Sequence, residues 1–197
     1  PRFDSALSRH MRLFISGSAP LLAETHELFE QRSGHRILER YGMTETNMST
    51  SNPYEGERRA GTVGFPLPGI ELKITDSTTG ETLPQGKIGE IEVRGPNVFK
   101  GYWNLEKATA EAFNTDGWFC SGDIGVIEDG YVRITDRKKD IIVTAGGKNI
   151  APQNIENLIK SQCPLISQVV IHGDKRKFLS ALITLDEVTL IEWAKGN

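Results

Sequence analysis

Only two of the 197 residues are cysteines, Cys120 and Cys163. They lie in unrelated contexts, which excludes both a disulfide framework and a CxxC metal site and reads as two reduced packing residues. Long apolar runs are also missing: none approaches the roughly 20 residues of a membrane-spanning helix, and the opening stretch PRFDSALSRHMRLF lacks the apolar core of a secretory signal. Neither sign of charge dominates, because 23 basic against 26 acidic side chains leave −3. That balance argues against a nucleic-acid partner, whose polyanion would call for a basic face. The four histidines, His10, His26, His35 and His172, form no pattern of a metal site or a general base. What remains, 38% hydrophobic and 25% charged, is ordinary globular composition, and it contains no repeats or low-complexity tracts. An intracellular, cytoplasmic protein is expected, with an upstream targeting segment left open; oligomeric state is not legible.

The patterning predicts a tail of an α/β domain followed by a β region and a small α+β module. Met11 to Ile15 reads as a strand and Ser16-Gly17-Ser18 as a turn. Pro20 then opens a helix with Leu21, Leu22, Leu28 and Phe29 at helical spacing, which Gly34 stops before a second apolar run at Ile37 and Leu38. So few elements cannot cover both faces of a parallel sheet, so residues 1–58 are expected to end a larger α/β domain. From 59 to 135 the period changes to two, with Ile70, Leu72 and Ile74, then Ile91 and Val93, and an Asp129-Gly130 turn, predicting an antiparallel β subdomain. Five consecutive charges, Asp136 to Asp140, mark a boundary that reads as an exposed hinge or a salt-bridged surface turn. Residues 141–197 then read as strand (Ile141 to Ala145), Gly146-Gly147 turn, helix from Pro152 with Ile155, Leu158 and Ile159 on one face, strands around Val169 and Leu182, and a helix from Glu187 to Lys195.

Three segments have side chains suited to chemistry. Tyr41-Gly42-Met43-Thr44-Glu45 follows a predicted strand and precedes the polar, turn-prone stretch Thr46 to Tyr54, placing it at a strand's carboxyl end, where open α/β sheets bind ligands. Tyr41 offers a flat face for a base, Thr44 a hydroxyl for a phosphate oxygen, and Glu45 a hard carboxylate for Mg2+. A strand-end turn with a capping Thr-Glu pair is the plainer reading. Ser16-Gly17-Ser18-Ala19-Pro20 combines small residues with the free N–H groups of a helix start, which suit a flat or anionic ligand and equally an ordinary turn. In Ser121-Gly122-Asp123 the carboxylate could accept both hydroxyls of a ribose or cap a turn.

Taken in order, Gly17-Ser18-Ala19, Tyr41 to Glu45, Gly89-Glu90-Ile91 with Gly101-Tyr102-Trp103, Ser121-Gly122-Asp123, and Asp136 to Asp140 with Gly146-Gly147 resemble the successive core motifs of the adenylate-forming superfamily, which includes acyl-CoA synthetases, luciferases and peptide-synthetase adenylation domains. The resemblance implies that Gly17, Ser18 and Ala19 line the adenine and acyl pocket, that Glu39, Arg40 and Tyr41 sandwich the adenine, and that Gly42 shares this nucleotide site. It further implies Thr44 on the α-phosphate, Glu45 on Mg2+, Asp123 on the ribose with Arg137 reinforcing it, Lys139 as hinge, and Gly146 and Gly147 against the pantetheine of coenzyme A. ATP, a small carboxylic acid and CoA are then the expected ligands. The stretch from Arg40 to Gly69 is similar to malonyl-CoA synthetases, with Ser18 and Met43 walling the acyl pocket; that from Asp136 to Ile159 is similar to long-chain fatty acyl-CoA synthetases. Malonate or another short acid is the favoured substrate, a medium- or long-chain fatty acid the alternative, and a non-catalytic nucleotide-binding scaffold the alternative of another class. Arg12 and Arg40 are candidates to pair a second carboxylate. The family's phosphate-gripping loop is expected upstream of Pro1 and its catalytic Lys downstream of Asn197, so the 197 residues are read as a fragment that adenylates nothing by itself. Val143 stands where some relatives carry a Lys that assists thioester formation.

Overall fold

Asp4 opens the first element of the computed structural model, which describes residues 4–196; Pro1, Arg2, Phe3 and Asn197, at the outer ends of the predicted 1–58 and 141–197 ranges, lie outside the described residues. The Asp4 carboxylate accepts the amides of Ala6 and Leu7 and so caps helix α1 (Ser5–Ser8). The chain divides into two units, Pro1–Ile134 and Thr135–Asn197.

In the first unit, the strand expected over Met11 to Ile15 is confined to β1 (Ile15–Ser16), because only these residues find a partner. Helix α2 (Ala23–Ser33) starts three residues later than the expected opening at Pro20, leaving Leu21 outside it and Leu22 at its N-cap, and ends at Gly34, whose φ of 74° supplies the left-handed cap. Its buried positions are His26 and Ser33, not Leu28, which is exposed. Phe29 does pack, edge-on to Phe14 at 4.9 Å. Strand β2 (Leu38–Met43) lies parallel to β1, and β3 (Asn47–Ser51) and β4 (Phe65–Pro66) extend the sheet antiparallel in the order β1-β2-β3-β4. β3 falls in the stretch read as a turn. Its polar side chains are paired, as where Ser49 donates to Thr46 Oγ1 at 2.9 Å and Thr50 to the Val63 carbonyl at 2.8 Å, so ladder pairing overrides composition.

The period-two region forms a second sheet, in the order β5 (Glu71–Thr75), β6 (Gly89–Arg94), β7 (Phe119–Glu128) and β8 (Tyr131–Arg137), with helix α3 (Glu106–Ala112) between β6 and β7. Asp129 and Gly130, both at positive φ, make the β7–β8 hairpin turn. Ile74, Ile91, Val93 and Val132 form the core with Tyr41. On β6 the alternate residues Glu90 and Glu92 are buried as well. Glu92 is matched by Lys73 Nζ at 3.0 Å, Asn114 Nδ2 at 2.9 Å and Thr75 Oγ1 at 3.2 Å, so a carboxylate is tolerated on a strand covered on both faces.

β8 runs into the second unit, which continues through a short 3-10 turn, Lys138–Asp140, to the two-residue strands β9 (Ile142–Val143) and β10 (Asn149–Ile150). The strand expected over Ile141 to Ala145 stops at Val143, because Thr144 and Gly147 turn the chain back. Helix α4 (Pro152–Gln162), strands β11 (Ile166–His172) and β12 (Ser180–Leu185), paired antiparallel, and helix α5 (Glu187–Gly196) complete it. On α4, Leu158 is exposed, while Ile155 and Ile159 are half-buried. The five-charge run is not uniformly exposed either. Asp136 is buried and accepts the amides of Arg137 at 2.7 Å and Gln153 at 3.2 Å, capping α4 from a distance in sequence. Mixed α/β character with antiparallel sheets is the class the patterning implied. Among the described residues no helix is long and apolar enough to cross a membrane.

Candidate active site

The site is organised around the carboxyl end of β2. Its register with β3 slips between Tyr41, opposite Thr50, and Gly42, opposite Met48, so that Ser49 bulges. The Asn47 backbone approaches Gly42 so closely that a Cβ there would collide with the Asn47 carbonyl, which requires glycine in the middle of the motif. Thr44 and Glu45 occupy the turn that follows, Thr44 exposed and Glu45 half-buried.

Tyr41 is 8% exposed, and its hydroxyl donates to the Asp123 carboxylate at 2.7 Å, joining residues 82 positions apart. A 2.7 Å bond to a carboxylate is charge-assisted and sets the carboxyl orientation. Asp123 is itself 9% exposed and its amide bonds the Ser121 hydroxyl at 3.1 Å, so the Ser-Gly-Asp segment is held from both sides. Two of the three chemistry-bearing segments therefore meet. The third is attached through the sheet, because Ser16 pairs with Glu39 of β2 and the Arg40 carbonyl lies 3.6 Å from where a Gly17 Cβ would stand. Ser18 takes a φ of 70°, unusual for a residue with a side chain, and Gly17, Ser18 and Ala19 are exposed.

Neighbouring positions on β2 differ. Glu39 is buried and points at His26 of α2, its Oε1 3.0 Å from His26 Nδ1 and 3.3 Å from the Gly61 amide. Burial pushes the Glu39 carboxyl above the usual range, with His26 opposing that shift. Asn52, just past the end of the neighbouring β3, anchors the same strand, its backbone N–H donating to the Glu39 carbonyl at 2.9 Å and its Nδ2 to the Thr62 carbonyl at 2.7 Å. Arg40 lies on the opposite face of β2, half-buried, and its Nε is a buried donor with no acceptor among the described residues. Met43 is half-buried at the strand end.

Glu45 is gripped by a segment to which the sequence reading assigned no role. Tyr102 donates its hydroxyl to Glu45 Oε1 at 2.9 Å, Phe99 its amide to the Glu45 carbonyl at 2.7 Å, and Asn97 Nδ2 bonds the adjacent Thr46 carbonyl at 2.6 Å. Burial and the bond to Glu45 raise the Tyr102 phenol above its ordinary range. His26 and Tyr102 were thus the residues missed. Only Tyr102 left a trace, as part of the Gly101-Tyr102-Trp103 motif. Among the described residues no group of three or more His, Cys, Asp or Glu could hold a metal ion. A lone carboxylate beside a hydroxyl still fits Mg2+, which takes one or two protein carboxylates and fills its shell with phosphate oxygens and water. In the second unit Arg137, Lys139, Gly146 and Gly147 are exposed, Gly147 with a φ of 76° in the turn between β9 and β10.

Known proteins place this geometry in context. The chain is 45% identical over 197 residues to the long-chain-fatty-acid–CoA ligase FadD15 of Mycobacterium bovis, covering all of this chain and 30% of that protein. It is 44% identical over 167 residues to the malonate–CoA ligase of Arabidopsis thaliana, covering 84% of this chain and 27% of that one. Among solved structures, ATP-bound MatB from Rhodopseudomonas palustris superposes with a TM-score of 0.87 at 47% identity, over 100% of this chain and 41% of that chain. The chain thus spans about a third of the length of these curated relatives. The model of the AMP-binding enzyme matches residues 2–103, just over half of the chain, and that of the AMP-binding enzyme C-terminal domain matches residues 139–192. With the bulged strand end, the Tyr41–Asp123 bond and the Glu45 turn all inside or next to the first match, the chain belongs to the AMP-binding enzyme family.

Proposed function

We propose that this chain is part of an ATP-dependent acid–CoA ligase that converts a carboxylate to an acyl-AMP and passes the acyl group to CoA. The observation that carries the reading is the Tyr41–Asp123 hydrogen bond, which joins the strand-end motif to a buried carboxylate suited to a ribose. A carboxylate is a poor acyl donor because its leaving group is oxide. Its oxygen therefore attacks the α-phosphorus of ATP, the bond to the bridging oxygen breaks, and pyrophosphate leaves; the thiol sulfur then attacks the acyl carbon and AMP departs. Asp123, oriented by Tyr41, accepts the ribose hydroxyls, and the exposed turn at Gly17, Ser18 and Ala19 lets the nucleotide and acid approach backbone N–H groups. Thr44 donates to an α-phosphate oxygen. Glu45 holds Mg2+, which when bound neutralises charge building on the phosphates. In the second unit we assign Lys139 to the hinge and Gly146 and Gly147 to the pantetheine arm, for the thiol step.

For the acid we favour malonate or a similarly short chain. Met43 narrows the acyl pocket, and the unpaired Arg40 Nε is a donor suited to a second carboxylate. The similarity to FadD15 supports a fatty acid as the second reading. The full-length protein, given ATP, Mg2+ and CoA with malonate, acetate, octanoate or palmitate in turn, is expected to release pyrophosphate and form thioester fastest with malonate. Palmitate turning over fastest would favour the second reading, and inertness to all four would sink the ligase.

A further inference from the structure

We infer that Tyr102 is a positioning residue for the cation-binding carboxylate, fixing Glu45 so that one carboxylate oxygen is committed to the protein and the other is presented to the metal. The inference rests on the proposed ligase function and deepens it by adding a residue outside the strand-end motif. A glutamate in a turn has several rotamers of similar energy, and one that would have to meet a cation loses binding energy to that freedom. Here the freedom is removed at both ends of the residue. The Phe99 amide fixes the Glu45 carbonyl at 2.7 Å, and the Tyr102 hydroxyl fixes Oε1 at 2.9 Å, while no described group bonds Oε2. Asn97 holds the next residue of the turn through the Thr46 carbonyl at 2.6 Å. All three bonds come from the connection between β6 and α3.

That connection is itself braced. The Tyr102 ring packs edge-on against Phe99 at 4.8 Å, and Phe99 touches Phe113 at 5.7 Å and Phe119 at 5.5 Å. The Tyr102 amide is bonded by Thr109 Oγ1 of α3 at 2.9 Å. The aromatic cluster accounts for a ring at position 102 but not for a hydroxyl. Among the described residues the hydroxyl makes one hydrogen bond, and its acceptor is the carboxylate. Tyr102→Phe therefore separates positioning from packing.

The test uses the full-length protein, with Mn2+ titrated into enzyme saturated with ATP in the absence of acid and the ternary complex followed by water-proton relaxation. Losing one hydrogen bond to a partly exposed carboxylate is expected to weaken Mn2+ binding by roughly three- to tenfold. Glu45→Gln should weaken it further, and the double variant should match Glu45→Gln alone. In pyrophosphate exchange, Tyr102→Phe should raise the KM for Mg2+ with little change in the KM for the acid, a split that general loosening of the fold would not produce. Wild-type Mn2+ affinity in Tyr102→Phe, with Glu45→Gln impaired, would overturn the positioning role while leaving the ligase reading intact. Wild-type affinity in both variants would remove Glu45 from the metal site and take the inference with it.

Discussion

Replacing His26 with leucine removes the side-chain partner of the buried Glu39 carboxylate. Glu39 sits in the interior, where among the described residues its carboxylate meets His26 Nδ1 at 3.0 Å and the Gly61 amide at 3.3 Å, and His26 is 2% exposed. Breaking a buried pair by deleting one member costs about 3–5 kcal/mol, because a desolvated charge is left behind. Two features pull the expected value to the low end, about 3 kcal/mol: the Gly61 bond survives, and burial already raises the Glu39 pKa, so that the group can shed its charge once His26 is gone. Glu39→Leu leaves a buried His26 ring that lacks one partner, at about 1–3 kcal/mol. The double variant leaves neither charge nor orphan, so the two costs should fall short of adding by about 2 kcal/mol. Urea unfolding in a Trp193→Phe background isolates the first unit, since the remaining tryptophans, Trp103 and Trp118, both belong to it. Trp118, half-buried next to β7, reports on the second sheet through its contacts with Lys73 of β5 at 4.5 Å and Arg94 of β6 at 4.3 Å. A His26→Leu cost below about 1 kcal/mol, or strict additivity in the cycle, would refute the reasoning that the pair is interdependent.

Two further substitutions probe the local geometry. Gly42→Ala places a methyl against the Asn47 carbonyl, and since backbone cannot swing aside as a side chain does, the β2–β3 turn must shift; we expect a loss of about 1–3 kcal/mol in thermal unfolding, together with weaker AMP binding by calorimetry in the full-length protein. Asp136→Ala strips the acceptor from the Gln153 amide at the start of α4 and should cost the second unit about 1–2 kcal/mol, read from its Trp193 fluorescence. The same carboxyl gives a pH signature. Burial raises its folded pKa against the opposing pull of the Arg137 and Gln153 amides, so the unfolded chain gives up this proton first. Its contribution is fully present below the ordinary carboxylate range, falls as pH rises through the folded pKa, and is flat above it. Asp136→Asn should flatten that part of the stability–pH curve, and an unchanged slope would count against the burial argument.

How far the sequence could be read follows from the range of the forces involved. Local backbone chemistry was legible: Gly34 ends α2, Asp129-Gly130 turns β7 into β8, and the period-two apolar residues of β5 and β6 form the core of the sheet. Failures came where a distant partner decided the outcome. β3 is polar apart from Met48 and looked like turn, yet the hydroxyls of Ser49 and Thr50 are satisfied by Thr46 and the Val63 carbonyl. Asp136 looked like one of five surface charges, and only α4, folding back to meet it, makes it a cap. In α2 the helical apolar spacing pointed to Leu28, while the buried face is fixed by His26 meeting Glu39 across 13 positions. The same logic sorts the site. Tyr41, Thr44, Glu45 and Asp123 could be put forward from sequence because the chemistry proposed for them lies in the side chain itself, whereas Tyr102 could not, because its candidate role consists wholly of a bond to a residue 57 positions away. Groups that meet a ligand leave their mark in residue type and motif order; groups that aim those residues leave it only in contacts, and a structure is needed to find them.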